Sequence, residues 1–131
     1  MTRLVSIHPV TDRLGALGDA TRLRVMRVLE REELSVGEVA RVVQLPQSTV
    51  SRHLKVLTEA GWLVRRAEGT ATLYRLMLDD LDEASRALWT AVREQLPADA
   101  SELAEDDRRL AGVLADRRAD SRAFFGEVAG Q

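Results

Sequence analysis

The chain has 131 residues and a mass of 14.6 kDa, room for one domain with a modest core plus an appendage and too little for two catalytic lobes. With 45% apolar and 31% charged residues, no apolar run longer than three and no cysteine, it excludes collagen-like, disordered and membrane-spanning classes, a signal-peptide core, disulfides and thiolate metal sites, and leaves a cytoplasmic address as the expectation. The net charge of −2 hides a gradient: residues 1–78 carry 12 basic and 8 acidic side chains and residues 79–131 carry 7 and 13, so a polyanionic partner is expected at the first part.

In chain order, Leu14, Leu17, Leu23, Met26 and Leu29 have helical spacing, interrupted near Gly18 and Asp19. That predicts two consecutive helices between Thr11 and Glu33, with Asp19 accepting hydrogen bonds from the amides that begin the second. Ser35-Val36-Gly37-Glu38 has the S-x-x-E spacing of a capping box, and Val36, Val39, Ala40 and Val43 continue from it as one apolar stripe. Gln44-Leu45-Pro46 ends that short helix, and Pro46 is tolerated at the start of the next, where no amide donor is needed. This following helix, Gln47 to about Glu59, has Val50, Leu54 and Leu57 on one face and Gln47, Ser48, Ser51, Arg52 and Lys55 on the other.

Gly61 is the expected terminator. From Trp62 to Leu76 the residues become strand-like, with Ala67-Glu68-Gly69-Thr70 as a turn in which Gly69 takes a positive φ, so one hairpin is predicted. After Asp79-Asp80, Leu81, Ala84, Leu88 and Val92 predict an amphipathic helix ending before Pro97, with Ser85, Trp89 and Leu96 close to its stripe. Residues 101–125 predict a last helix whose seam of Leu103, Leu110, Leu114 and Phe124 reads as thin for a core element. Phe124 and Phe125, adjacent and unable to share a helix face, suit a further domain.

Two short helices joined by a tight turn, then a two-stranded hairpin, spell a winged helix-turn-helix. The expected fold is mostly α with a small β-hairpin, residues 1–98 forming a DNA-binding and dimerisation domain and 99–131 a helical extension or a linker to an absent domain. A helix fits the major groove of duplex DNA, and short polar residues in its first turns let the backbone approach phosphates. Gln47, Ser48, Thr49, Ser51 and Arg52 meet that description, with Gln47, Ser48 and Thr49 doubling as an N-terminal capping cluster. Lys55, Arg65 and Arg66 add phosphate contacts, and between Gln44 and Arg66 four basic residues stand against one acid. Arg65 and Arg66 alternate on a strand, so one of them is expected to face DNA. His53 is included in the site but expected to pack or hydrogen-bond beside the wing.

Leu17 to Leu76 closely resembles the ArsR family of bacterial winged-helix repressors, most specifically in QSTVSRHLKVLTEAGWLV. The resemblance implies a homodimeric repressor of an inverted-repeat operator in double-stranded DNA, paired through its first and fifth helices, with a small-molecule effector weakening operator affinity. On this chain the implied dimer residues are Leu14, Leu17, Leu81, Leu88 and Val92. The C-x-C pair of the family's arsenical sensors is replaced by Ser35 and Gly37, residues 81–96 contain no histidine, and His8 and His53 alone cannot close a four-ligand zinc site, so no metal or cofactor is expected.

Asp106 to Gln131 is similar to the connecting helix of proteins in which an ArsR-type domain is fused to an S-adenosylmethionine-dependent methyltransferase. The alternative reading is therefore the regulatory fragment of such an enzyme, with S-adenosylmethionine or its demethylated product as first effectors to try. The eight glycines include no G-x-G. Ser48, Ser51 and His53 share one helix without a carboxylate to orient the imidazole, so no catalytic residue is assigned and the chain is not expected to be an enzyme.

Overall fold

The computed structural model describes the backbone of residues 6–129 and the side chains of residues 6–121; the expectation for Phe124 and Phe125 lies outside these side chains. Helices α1 (His8–Ala16) and α2 (Ala20–Arg31) are separated where expected, and the Asp19 carboxylate accepts from the Arg22 amide at 3.0 Å. Strand β1 (Leu34–Ser35) leads into α3 (Val36–Val43), whose capping box is complete: Glu38 N donates to Ser35 Oγ at 3.3 Å and Ser35 N to Glu38 Oε1 at 3.0 Å. The turn after α3 puts Gln44 in the left-handed region at φ 58°, and α4 (Gln47–Glu59) follows with Pro46 at its N-cap.

Gly61 and Gly69 both have positive φ, 85° and 60°, ending α4 and turning the hairpin of β2 (Val64–Glu68) and β3 (Ala71–Arg75). The sheet has three antiparallel strands in the order β1-β3-β2 rather than the two expected, because Leu34 pairs with Tyr74 and Ser35 with Leu73. A two-residue strand has no alternation to read; only its pairing defines it. Helices α5 (Glu83–Glu94) and α6 (Ser101–Ala129) complete the chain.

The core unites α2, α3 and α4 through Met26, Leu29, Val39, Leu54 and Leu57, closed by Trp62 and Trp89. Trp62 keeps its polar handle satisfied, its Nε1 donating to Arg13 O at 2.9 Å. Trp89 Nε1 donates to Glu30, which also holds Arg93. In α5 the buried positions are Ser85 and Trp89, whereas Ala84 is exposed and Leu88 and Val92 are half-buried, so the stripe is rotated from the one expected.

Helix α6 differs most from expectation. Leu103, Leu110 and Val113 are buried in contact with the rest of the chain, and Asp106 is fully buried in a bidentate pair with Arg24 at 2.8 Å. Arg27 and Arg31 hold Asp107, Arg41 holds Asp116, and Arg117 holds Glu38. The apolar seam looked thin because part of the docking is ionic, with arginines of α2 and α3 meeting carboxylates of α6.

Candidate nucleic-acid interface

Helix α4 is clamped by its apolar face, Val50, Leu54 and Leu57, which fixes the opposite face outward. Gln47, Ser48, Ser51, Arg52 and Lys55 are all exposed there. Thr49 is half-buried, its amide donating to Pro46 O at 3.1 Å, a position at the helix start rather than on the outward face. Gln47 lies against α3: a Cβ added at Gly37 would stand 3.4 Å from its Nε2.

His53 is half-buried, and it does not lie beside the wing. Its Nδ1 stands 3.4 Å from Arg22 Nη1, while Arg22 also donates to the carbonyls of Ala16 at 2.6 Å and Gly15 at 3.3 Å, tying α4 to the α1–α2 junction. Burial holds the His53 imidazole below its ordinary value; Asp19 opposes that shift, and Arg22 and Arg52 add to it. Arg22 was not singled out from the sequence, where one arginine among eighteen carries no distinguishing signal.

The wing separates its two arginines. Arg65 is in register with Tyr74, on the sheet face that also carries Leu34, and Arg66 is in register with Leu73 on the other. Arg66 is held by Glu33 at 2.7 Å and Glu68 at 2.8 Å, and the Arg66 hydrogen bond keeps the Glu33 carboxyl below the usual carboxylate range. Unlike Arg65, Arg66 lies on the face away from α4 with its guanidinium engaged by Glu33 and Glu68. Among the described residues no carboxylate lies within ion-pair distance of Arg65 or Arg52.

Between α4 and the wing runs a cleft of about 320 Å³ lined by Ser51, Lys55, Thr58, Glu59, Arg65 and Tyr74. Two cations and three hydroxyls face one carboxylate, and Lys55 Nζ is 3.9 Å from Glu59. Thr58 Oγ1 is buried without a hydrogen-bond partner. Such a cleft offers donors to a phosphodiester. Tyr74 and Glu59 were missed from sequence, although the hairpin register that puts Tyr74 across from Arg65 was foreseeable once the turn was placed.

The expected dimer residues divide. Leu14 is 50% exposed and is joined by Val10 at 55% on α1 and by the N-cap residue Ile7 at 74%, an exposed apolar stripe. Leu88 and Val92 are half-buried on α5. Leu17 and Leu81 are each 8% exposed inside their own chain's core, so they have little surface to give a partner, and their assignment to the interface is corrected.

Comparison with known proteins adds the lineage. A helix-turn-helix domain model matches residues 17–66. An arsenic resistance transcriptional regulator of Pseudomonas putida is 38% identical over 97 residues, spanning 71% of this chain and 76% of that protein. The chain belongs to the ArsR family of transcriptional regulators. A biofilm growth-associated repressor of Agrobacterium fabrum is 37% identical over 86 residues, covering 63% of this chain and 74% of that one.

Among solved structures, HlyU of Vibrio cholerae matches this ArsR-family chain with a TM-score of 0.57 at 28% identity over 66% of this chain and 90% of that one. The homodimeric winged helix-turn-helix DNA-binding domain from Mycobacterium bovis matches with a TM-score of 0.60 at 23% identity, over 76% and 97%, which shows the shared fold. These relatives are regulators, and none supports the methyltransferase alternative. In this ArsR-family chain Ser35 serves as the N-cap of α3. No helix among the described residues is long and apolar enough to cross a membrane.

Proposed function

We propose that this ArsR-family regulator works as a homodimeric repressor that reads an inverted repeat in double-stranded DNA and acts by binding rather than catalysis. The observation that carries the reading is the outward polar face of α4, where Arg52 has no carboxylate partner among the described residues and the α4–wing cleft continues the donor surface. Gln47, Ser48, Ser51 and Arg52 supply base and groove contacts; Lys55, Arg65, Ser51 and Tyr74 grip a flanking phosphate. Two copies paired through the apolar stripe of α1 and the outer side of α5 put their α4 helices in successive major grooves, about 34–36 Å apart. The repressor name of the Agrobacterium relative and the homodimeric state of the Mycobacterium domain support the same reading.

Fluorescence-anisotropy titrations test it, with promoter fragments from the source genome set against random duplex over a range of salt. The expected outcome is a preference for one promoter of roughly 10³-fold or more and a steep fall of affinity with salt, each neutralised phosphate contributing about 0.9 to the log–log slope. Equal affinity for promoter and random duplex at low salt overturns the proposal.

A further inference from the structure

Arg22 joins three elements through one side chain. From the first turn of α2 its Nε donates to Ala16 O at 2.6 Å, its Nη2 to Gly15 O at 3.3 Å, and its Nη1 lies 3.4 Å from His53 Nδ1 on α4. Gly15 and Ala16 are the last two residues of α1, where carbonyls lack a donor from the helix itself. The Arg22 amide is meanwhile taken by Asp19 at 3.0 Å, so the residue is anchored through backbone and side chain alike. A guanidinium has donors and no acceptor, so Nδ1 must present its lone pair. The contact therefore requires a neutral imidazole, and a second ring proton removes the acceptor and sets two cations against each other.

This contact lies between the two surfaces that the DNA-binding reading needs. Helix α1 carries Val10 and Leu14 of the exposed stripe, and α4 carries the outward polar face. A second polar tie to α1 comes from Trp62, just beyond α4, whose Nε1 donates to Arg13 O at 2.9 Å. Trp62 does not titrate; His53 does. Burial keeps the imidazole neutral near neutral pH, Asp19 opposes it, and Arg22 and Arg52 reinforce it; among the described residues no charged group of α1 or α3 acts on the ring.

We propose that Arg22 is a positioning residue that sets α4 against α1 through the neutral imidazole of His53, and that protonation of His53 releases this hold and lowers the preference for promoter over random duplex. The inference rests on the DNA-binding reading and adds a proton-sensitive control to it. Two α4 helices must enter grooves about 34–36 Å apart, and the two-fold axis applies any tilt of α4 on α1 to both of them. Random duplex, held through phosphates in any register, tolerates such a tilt. A direct contact of His53 with DNA predicts the opposite sign, because a new cation beside phosphates tightens binding.

Anisotropy titrations of promoter and random duplex between about pH 8 and about pH 5 at constant salt test this, the ratio of the two affinities cancelling the general gain of positive charge on acidification. The ratio is expected to fall roughly fivefold or more as His53 protonates. His53→Gln, whose amide oxygen accepts from Arg22 without titrating, should give a ratio that is flat across the range. His53→Leu has no acceptor, and Arg22→Lys keeps the charge while its single ammonium cannot span the carbonyls and the ring; both should give a low ratio at every pH, with helical content checked by circular dichroism. A wild-type ratio that stays constant or rises on acidification, or a pH dependence that persists in His53→Gln, overturns the proposal and leaves the regulator reading standing. A ratio near one at every pH overturns the regulator reading and this proposal with it.

Discussion

Arg65 and Arg66 are chain neighbours of identical chemistry, yet one faces the α4 cleft and the other is spent on Glu33 and Glu68, because a strand sends successive side chains to opposite faces. Charge at this surface is decided residue by residue. Arg52, exposed and without a carboxylate partner among the described residues, should lose at least about 1 kcal/mol of promoter affinity as Arg52→Ala at fixed salt. Glu59 acts in the opposite sense: it faces the cleft and sits 3.9 Å from Lys55, so it repels a phosphate and competes for the lysine. Glu59→Gln should tighten binding to promoter and random duplex alike by a few tenths to about 1 kcal/mol, with stability nearly unchanged, since an exposed pair of this kind contributes little to folding. Parallel anisotropy and urea titrations check both.

His53 adds a pH dependence of defined sign. Its neutral form accepts from Arg22 through Nδ1, and its folded pKa lies below the ordinary 6.5. The unfolded chain therefore binds a proton more readily than the folded one. Stability is complete above pH 6.5 and falls as the pH drops through the lowered folded value. Urea unfolding at about pH 7.5 and about pH 5.5 should show the native protein losing stability on acidification, and His53→Gln should flatten that difference.

At the scale of elements, α6 is fastened both by apolar burial and by arginine–carboxylate pairs to α2 and α3. The Arg27 hydrogen bond holds the Asp107 carboxyl below its ordinary value. Burial pushes Glu38 up, but Arg117 and the Ser35 amide outweigh it and leave Glu38 below its ordinary value as well. Glu38 thus serves two elements, closing the capping box of α3 and receiving Arg117 of α6. Two variants separate the fastenings. Leu110→Ala, at 2% exposure, should cost about 2–5 kcal/mol through lost transfer energy and a cavity. Asp106→Ala should cost roughly 3–5 kcal/mol, because Arg24 is then left largely buried without its counter-charge. The check is a shift of the urea midpoint at constant m-value; a wild-type-like midpoint for both would show that α6 is not part of the cooperative unit.

For the whole molecule the question is how two copies pair. Ile7, Val10 and Leu14 are the large apolar side chains that α1 leaves exposed, one stripe at helical spacing. Val10→Glu combined with Leu14→Glu should give a folded monomer by sedimentation, with unchanged helical content and promoter affinity reduced by far more than Arg52→Ala achieves, since both half-sites must be held at once. Leu17→Glu should instead unfold the chain, because Leu17 belongs to the core.

Local signals were readable wherever the chemistry lies within a few residues: the capping box at Ser35 and Glu38, the Asp19 cap, the glycines at 61 and 69, and the two-faced pattern of α4. By itself the sequence determined the order of helices, the turn and the wing, and which face of α4 turns outward, because those follow from periodicity and from backbone donors that need a partner close in the chain. The tertiary structure alone decided that Leu34 and Ser35 form a third strand, that Arg66 and Leu17 are already engaged, that His53 answers to Arg22, and that Leu110 and Val113 of α6 belong to the core. In those cases the partner is between 31 and 84 residues away or set by how elements rotate on one another, as with Arg22 and His53 or Arg117 and the Glu33 carbonyl. Spacing along a chain carries no record of such contacts; burial and charge pairing across the fold do.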